Sequence, residues 1–387
     1  MAKTKPKDKK NKTSRKREKE VLHRTNGMSS KIASSPASPQ RFLIASRISF
    51  QEGQLDNALN CAQRALGMLD TTSKDALPAI TLLGEIHVEL GETEMAREYF
   101  SLAATIDEEG AFGAEKFLLL AQLCEDGGQD SVEWFEKGAL SLRLQIQALL
   151  DQKKLSVSDQ EALEEKKRQL ATALCSVVEV YMTDLSWEED AEQKCETLVT
   201  EATLVAPEFA EPWQTLGNVR ISQERKEDAR AALKRSLDIW KDLPTHHQLV
   251  PDYPTRVNLA RLLIDAEMDT EAMDVLETLD EDNDQSVEVC YLGGWQLYLI
   301  GEKQKSGELQ VGEGESWEIS WRGSRRWLQR CLALFKEQDY QDERLGAHAE
   351  ELLGSINGVL GETVDGDEDG QDDEWDDIEE DEEMTEA

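Results

Sequence analysis

From Pro39 almost to Leu360, apolar residues recur at intervals of three and four positions, which is the spacing along one face of an α-helix. The alternation of apolar and polar residues that a half-buried strand would show is absent from the sequence. Residues 1–38 are polar and basic, and residues 361–387 are mostly acidic, so neither end contains the apolar residues that a core needs. We therefore predict an all-α body over 39–360, between a disordered basic N-terminal segment (1–38) and a disordered acidic tail (361–387).

One spacing of small and large residues occurs twice within the body. The copies are Leu82-Leu83-Gly84-x-x-His87 followed by Ala96 and Phe100, and Trp213-x-x-Leu216-Gly217 followed by Ala229 and Leu233. They resemble the tetratricopeptide repeat (TPR), a helix–turn–helix unit of about 34 residues that reads W-x-x-L-G-x-x-Y, then A-x-x-x-F. Weaker copies bring the number of predicted units to about seven. The resemblance implies a right-handed superhelical solenoid, in which Gly and Ala let the two helices of a unit approach closely.

Parts of the body depart from the repeat pattern, after the third unit and in the seventh. The long segment after the third unit predicts a lengthened helix pair, through Leu140 to Leu150 and Asp151 to Gln169. The polar segment Glu302 to Ser320 is expected to interrupt the seventh unit, with Arg325 to Phe335 as its second helix. Asp342 to Leu360 is amphipathic and predicts the capping helix with which a solenoid ends.

Charge divides the chain into three parts. The sequence has 43 Lys and Arg against 80 Asp and Glu, a net charge of −37. Residues 1–31 carry +9 and residues 362–387 carry −16, which leaves −30 on the 330 residues between them. An exterior this acidic repels phosphate, so we expect no direct nucleic-acid partner and favour a basic protein.

Signatures of catalysis are missing from the sequence. It has no G-x-G-x-x-G, P-loop or G-x-S-x-G motif, and its five histidines are scattered, with none in H-E-x-x-H. We predict a protein that is not an enzyme and has no catalytic residue, metal site or cofactor. No apolar run is long enough for a membrane helix, no secretory signal is recognised, and the six separated cysteines indicate reduced thiols in an intracellular protein.

The TPR resemblance implies that the first helix of each unit lines the inner, concave wall. Carboxylates and aromatic rings in such a wall suit a basic strand through ion pairs and cation–π contacts. The alternative is a solvated face, with the aromatic residues packed against the capping helix. The predicted client-binding groove consists of Glu85, Glu89, Phe117, Glu125, Glu179, Gln214, Asn218, Asp265, Tyr291, Trp295 and Tyr298.

The two charged ends have several interpretations. The acidic tail, with Trp375 and Ile378 inside it, is either a solubility tail or a polyanion mimic that shields a basic client from RNA. The N-terminal run is a nuclear-import signal, an RNA contact or a solvated tail. The import interpretation rests on Lys9, Lys10, Lys12, Arg15, Lys16, Arg17 and Lys19.

The whole layout is similar to one family. With the basic start Ala2-Lys3-Thr4-Lys5, repeats from Pro39, seven degenerate units and a final acidic block, the chain resembles the fungal TPR-type assembly chaperones of large-subunit ribosomal protein four. The resemblance implies that the acidic groove holds the long, basic internal loop of the ribosomal protein, and we expect a monomer. It also implies that the chaperone keeps the client soluble and takes it from cytoplasm to nucleus with the import machinery. The alternative is a non-enzymatic TPR scaffold or substrate adaptor of a regulatory complex.

Overall fold

The computed structural model describes residues 38–125, 127–152, 154–244, 246–309 and 316–361. In these residues all regular structure is helical, which confirms the predicted all-α class. A short 3₁₀ helix, Lys74–Ala76, precedes the third α-helix. The α-helices are α1 Pro39–Gln51, α2 Leu55–Leu66, α3 Leu77–Glu89, α4 Thr93–Ile106, α5 Glu115–Gln122, α6 Gly128–Leu150, α7 Val157–Met182, α8 Ala191–Val205, α9 Ala210–Ser222, α10 Lys226–Trp240, α11 Tyr253–Asp265, α12 Asp269–Asp282, α13 Val287–Ser306, α14 Trp317–Glu337 and α15 Glu343–Leu360.

The described residues form two compact units, and the first unit ends at Val250 and the second begins at Pro251. Helices α1 to α10 belong to the first unit and pair in sequence, α1 with α2 through to α9 with α10. In the second unit α11 pairs with α12 and α13 pairs with α14, and α15 packs on α14. Helices α1, α3, α5, α7, α9, α11 and α13 are called the first helices below.

Small residues set the close packing within the pairs, as the sequence predicts. A Cβ atom on Gly84 of α3 would lie 2.6 Å from Cε1 of Phe100 in α4. The equivalent atom on Gly217 of α9 would lie 2.6 Å from Cδ2 of Leu233 in α10. Both large side chains are fully buried, so each fills the space that the glycine leaves. This is the close approach that the repeat requires.

In four of the seven described helix pairs, the turn has a left-handed residue two positions after the first helix. Gly53 and Gly91 have φ of 71° and 73° there, and Glu224 and Glu267 have φ of 58° at the same place in their pairs. The backbone N–H of the next residue donates to a carbonyl near the end of the first helix, as from Arg225 to Arg220 O at 2.9 Å. One turn geometry therefore serves glycine and glutamate alike.

Two departures from the repeat concern helix length. Helices α6 and α7 have 23 and 26 residues, which confirms the lengthened helices predicted after the third unit. The seventh pair is longer than predicted, because α13 continues to Ser306 and α14 begins at Trp317, not at Arg325. The added turns are held by Trp321, whose indole stacks on Tyr298 at 5.2 Å and fills the space beside Gly301.

Helix α15 closes the second unit as the predicted capping helix. Its buried residues Ala349, Leu352 and Ile356 form a cluster with Leu328 and Cys331 of α14. Its outward side is polar, which is the composition expected where a repeat array ends.

Candidate functional site

The first helices of the first unit can be aligned on the small residue that faces the paired helix. This residue is Gly84 in α3, Ala121 in α5, Cys175 in α7 and Gly217 in α9. The residues three before and one after it lie beside each other on one side of the helix. We call this side the first-helix face. It carries Thr81 and Glu85 in α3, Leu118 and Gln122 in α5, Thr172 and Ser176 in α7, and Asn218 in α9, where the other position holds the buried Gln214.

Three predicted carboxylates lie on this face or next to it and form no ion pair within the described ranges. Glu85 is half-buried, Glu89 and Glu179 are exposed, and no ion pair joins any of them to the residues that the structure describes. Burial raises the pKa of Glu85 and of Glu179 above the ordinary value for glutamate. Arg47 lowers the pKa of Glu85 in part, and Glu115 raises it further. Both carboxyl groups have lost part of their water, and only Glu85 has a nearby cation, Arg47, that offsets this loss in part.

The second unit contains a similar carboxylate. Asp265 at the end of α11 is exposed, and partial burial of its carboxyl group raises its pKa. Arg261, one turn earlier, lowers the same pKa by a smaller amount. Because the guanidinium of Arg261 forms an ion pair with Glu288 of α13, it is shared between two acids.

Two other predicted groove residues, Glu125 and Asn218, differ in whether they are available to bind a client. Glu125 lies just after α5 and accepts a hydrogen bond from Nη2 of Arg97 at 2.7 Å. Its charge is therefore already matched within the protein. Asn218 is half-buried on α9 and remains accessible at the predicted position.

Two predicted groove residues are wrong, because both belong to the core. Phe117 is 1% exposed and its ring stacks near Trp134 at 6.1 Å. It lies four residues before Ala121, the same position as the buried Ile80 before Gly84, so it points into the repeat. Gln214 is 3% exposed. Two other residues of α9 contact the preceding helices. The hydroxyl of Thr172 in α7 donates a hydrogen bond to Glu211 at 2.7 Å, and Arg220 forms an ion pair with Glu196 of α8.

The aromatic end of the predicted groove is packed against other helices. The hydroxyl of Tyr291 is hydrogen-bonded to Nδ1 of His348 in α15 at 2.7 Å, and the ring of Trp295 meets the same imidazole edge-on. Tyr298 stacks on Trp321 of α14. All three are half-buried, so the aromatic groove prediction is corrected to an interface with α14 and α15. The capping helix covers the face that a further repeat would have left open.

The first-helix face contains a cavity that the sequence prediction missed. It has a volume of about 270 Å³ and lies between α5 and α7, with Phe209 at one end. Aligning Ala121 and Cys175 with Gly84 would have found four of its lining residues, Leu118, Gln122, Thr172 and Ser176, from the sequence alone. The other lining residues are Phe135, Glu165, Arg168, Gln169, Ala173 and Phe209.

The described residues offer little for other kinds of chemistry. They contain no group of three His, Cys, Asp or Glu side chains arranged to hold a metal ion. All six cysteines are free thiols, four of them buried. His87 is 5% exposed, stacks on Tyr99 at 5.3 Å and is held through Nδ1 by Glu92 at 2.6 Å, which makes it a packing residue. Among the helices that the structure describes, none combines the length and apolar character needed to span a bilayer.

Three predictions concern segments outside the described residues. They are the import run from Lys9 to Lys19, the disorder of 1–37, and the acidic block after Gly361. They remain predictions.

Known proteins confirm the repeat and show the family. A model of the tetratricopeptide repeat matches residues 77–109, which cover α3 and α4. A protein of Emericella nidulans named "Probable assembly chaperone of rpl4" is 42% identical over 97% of both chains. A Schizosaccharomyces pombe protein of the same name is 31% identical over 89% of this chain and 98% of its own.

A solved structure agrees with these relatives. The structure described as "Assembly Chaperone of RpL4 (Acl4) (Residues 1-338)" is 50% identical, with a TM-score of 0.68, and covers 70% of this chain and all of its own. Full-length similarity to two curated relatives, together with this structural match, identifies the chain as a member of the family of rpl4 assembly chaperones.

Proposed function

We propose that this protein is a dedicated, non-enzymatic chaperone that binds ribosomal protein rpl4 by holding a long, basic internal loop of rpl4. The first-helix face would bind that loop, keep the client soluble and release it during assembly of the large ribosomal subunit. The observation that carries this proposal is a group of three carboxylates that form no ion pair with a described residue, Glu85, Glu89 and Glu179, of which Glu85 and Glu179 have a raised pKa. The names of the relatives support the identity of the client.

The charge of these carboxylates accounts for why a basic strand would bind. A carboxylate that has lost water without gaining a partner raises the energy of the free protein. A lysine or arginine from the client would form charge-assisted hydrogen bonds, each typically about 1.5–3 kcal/mol. Binding therefore removes an unfavourable feature of the free protein while adding an attractive one.

The cavity between α5 and α7 adds a different kind of contact. Its lining combines Leu118, Phe135 and Phe209 with the polar side chains of Gln122, Thr172 and Ser176, and it also holds the ion pair of Glu165 with Arg168. Such a lining fits one apolar side chain of the client, with hydrogen bonds to its backbone. A strand that alternates basic and apolar residues would use both the carboxylates and the cavity.

Co-purification with rpl4 tests this proposal. Changing Glu85, Glu89 and Glu179 to Lys should abolish capture of rpl4 at moderate salt, because attraction becomes repulsion at the same positions. A matched control changes Glu94, Glu98 and Glu133 to Lys, since these exposed acids lie on the second helices α4 and α6. Undiminished capture by the first variant, or equal loss by both, would show that the face is not the binding site. Recovery of regulators or enzymes instead of one ribosomal protein would favour the scaffold alternative.

Delivery to the nucleus forms the second part of the proposal. The basic run between Lys9 and Lys19 would bind the import machinery and take the loaded chaperone from cytoplasm to nucleus. Replacing its lysines and arginines with Ser should leave rpl4 binding intact and hold a fluorescently tagged chain in the cytoplasm. Unchanged nuclear accumulation would exclude the run as an import signal.

A further inference from the structure

Helix α14 is basic in a strongly acidic protein. It contains Arg322, Arg325, Arg326, Arg330 and Lys336 against two acids, Glu318 and Glu337, which gives +3 in a chain of −37. None of the other described α-helices is as positive. Positive charge concentrated on one helix marks a surface for an anionic partner.

Two of these arginines have no internal partner in the described part of the chain. Arg322 and Arg326 are exposed, lie one turn apart, and form no ion pair with a described residue. Arg330, by contrast, is paired with Asp280 of α12. Neighbouring guanidinium groups at this spacing can grip a run of carboxylates through paired hydrogen bonds.

Apolar surface borders the same arginines. Ile319 lies one turn before Arg322 and is 51% exposed. A cavity of about 520 Å³ within the second unit is lined by Ile319, Leu297, Ile300 and Trp327, with Arg326 at its edge. The charge of Asp269, another lining residue, is met by Nζ of Lys303 at 2.7 Å. Glu277 is the remaining acid in the lining. The cavity is large enough for an aromatic side chain.

The acidic tail of the chain begins beside this surface. Nη2 of Arg325 donates a hydrogen bond to the carbonyl of Gly361 at 2.7 Å, so α14 holds the residue from which the tail continues. Residues 362–387 contain sixteen acids and no base, with Trp375 and Ile378 three positions apart. The 14 residues from Gly361 to Trp375 span up to about 50 Å, enough to reach the cavity from its own unit.

We propose that the chain's own acidic tail docks on the second unit along α14. Carboxylates around Trp375 would pair with Arg322 and Arg326, and the side chains of Trp375 and Ile378 would enter the cavity beside Ile319. The tether keeps the local concentration of the tail high, so modest contacts suffice. This inference does not depend on the client or on the first-helix face.

Cross-linking of the full chain tests the docking. The Arg326→Lys variant keeps the positive charge at this position and supplies an amine. A water-soluble carbodiimide joins this amine only to a carboxylate that is in contact with it. The control is Arg344→Lys, an exposed site at the other end of α15, about 26 Å along the helix from Gly361. Mass spectrometry then identifies the linked tail residues in monomeric protein.

The proposal expects position 326 to link to acids around Trp375, at least about threefold more than position 344. Adding Trp375→Ala and Ile378→Ala should remove most of that difference, because the side chains proposed to enter the cavity are lost. Raising the salt to 1 M should do the same, because the screening length of charges falls to about 3 Å. Equal cross-link yields at the two positions would mean that the tail contacts both sites by chance because it is tethered nearby, and would overturn the proposal.

Two further outcomes would also overturn it. Linked peptides that combine isotope-labelled and unlabelled chains would show that the tail belongs to a second copy. No tail cross-link, together with loss of single-stranded RNA binding in an Arg322→Glu, Arg326→Glu variant, would assign the surface to nucleic acid.

Discussion

A buried ion pair fixes the start of α5, the helix that carries Leu118 and Gln122 to the first-helix face. Nζ of Lys116 donates to Oδ2 of Asp107 at 2.8 Å, and both side chains are at most 4% exposed. Asp107 also accepts the backbone N–H groups of Ala111 and Phe112 at 3.0 and 2.9 Å. The Asp107→Asn variant keeps the shape of the side chain and removes its charge.

The structure sets the size of the expected loss. Lys116 would remain a buried cation beside a neutral amide, with the carbonyl of Gly113 at 2.6 Å and the ring of Phe117 as its other contacts. Both carboxylate oxygens of Asp107 accept hydrogen bonds, so the NH2 group of Asn would also face a donor. Breaking a buried pair in this way costs about 3–5 kcal/mol. That is a large fraction of the roughly 5–15 kcal/mol by which a folded domain is stable.

Hydrogen exchange measures this loss where it occurs. Protection of the α5 amides reports the free energy of local opening, so 3–5 kcal/mol corresponds to a fall of about a hundredfold to several-thousandfold. Asp70→Asn is the control, because Asp70 is exposed and its side-chain hydrogen bonds reach only Thr72. A fall of less than about tenfold in Asp107→Asn, or an equal fall in the control, would refute the reasoning.

The pH dependence of this effect follows from the same contacts. Burial alone would raise the pKa of Asp107, but the hydrogen bonds from Lys116 and from the backbone outweigh burial and lower it. The contribution of Asp107 to stability is therefore complete above the unfolded pKa of about 3.9 and is lost as the pH falls through the lower, folded value. The difference between the parent and Asp107→Asn should shrink in acid.

Three other predictions concern packing and binding. Gly84→Ala should lower the free energy of unfolding by about 1–3 kcal/mol in urea titrations, because the new Cβ would lie 2.6 Å from Phe100 Cε1. The control is Gly354→Ala, which has open space around it and should leave the free energy of unfolding unchanged or raise it by up to about 1 kcal/mol. Affinity for rpl4 should fall as the pH drops through the raised pKa values of Glu85 and Glu179, since a neutral carboxyl must lose its proton to pair with a lysine; a flat profile in calorimetry would contradict this. Binding should also weaken about tenfold or more between 50 and 500 mM salt, and an affinity independent of salt would contradict a charge-based groove.

The fold could be predicted from the sequence because the repeat depends on a few small residues. Gly84 and Gly217 occur where only close helix packing explains them, and the structure places Phe100 and Leu233 against them. The turns were harder to recognise. Glu224 takes the left-handed conformation that Gly53 and Gly91 take elsewhere, and nothing in its residue type indicates this.

The candidate site could be predicted only in part, since it depends on register and on neighbouring helices. Helix α5 has just eight residues and a weak repeat signal, so the sequence pattern does not fix its register and predicts Phe117 where the structure presents Leu118. Burial of Gln214 and the cover of α15 over Trp295 come from tertiary packing that a single helix pattern does not contain. The carboxylates Glu85, Glu89 and Glu179 were identified correctly as accessible first-helix residues, because charged side chains are rarely buried without a partner.

The central claim is that the first-helix face of the first unit holds a basic strand of rpl4. A photoreactive amino acid in place of Ser176, beside the cavity between α5 and α7, tests it most directly, with the same group in place of the exposed Glu133 on α6 as control. We predict that the probe at position 176 links to the long, basic internal loop of rpl4 and that the probe at position 133 does not. Links from position 133 alone, or links from position 176 to other parts of rpl4, would contradict the account.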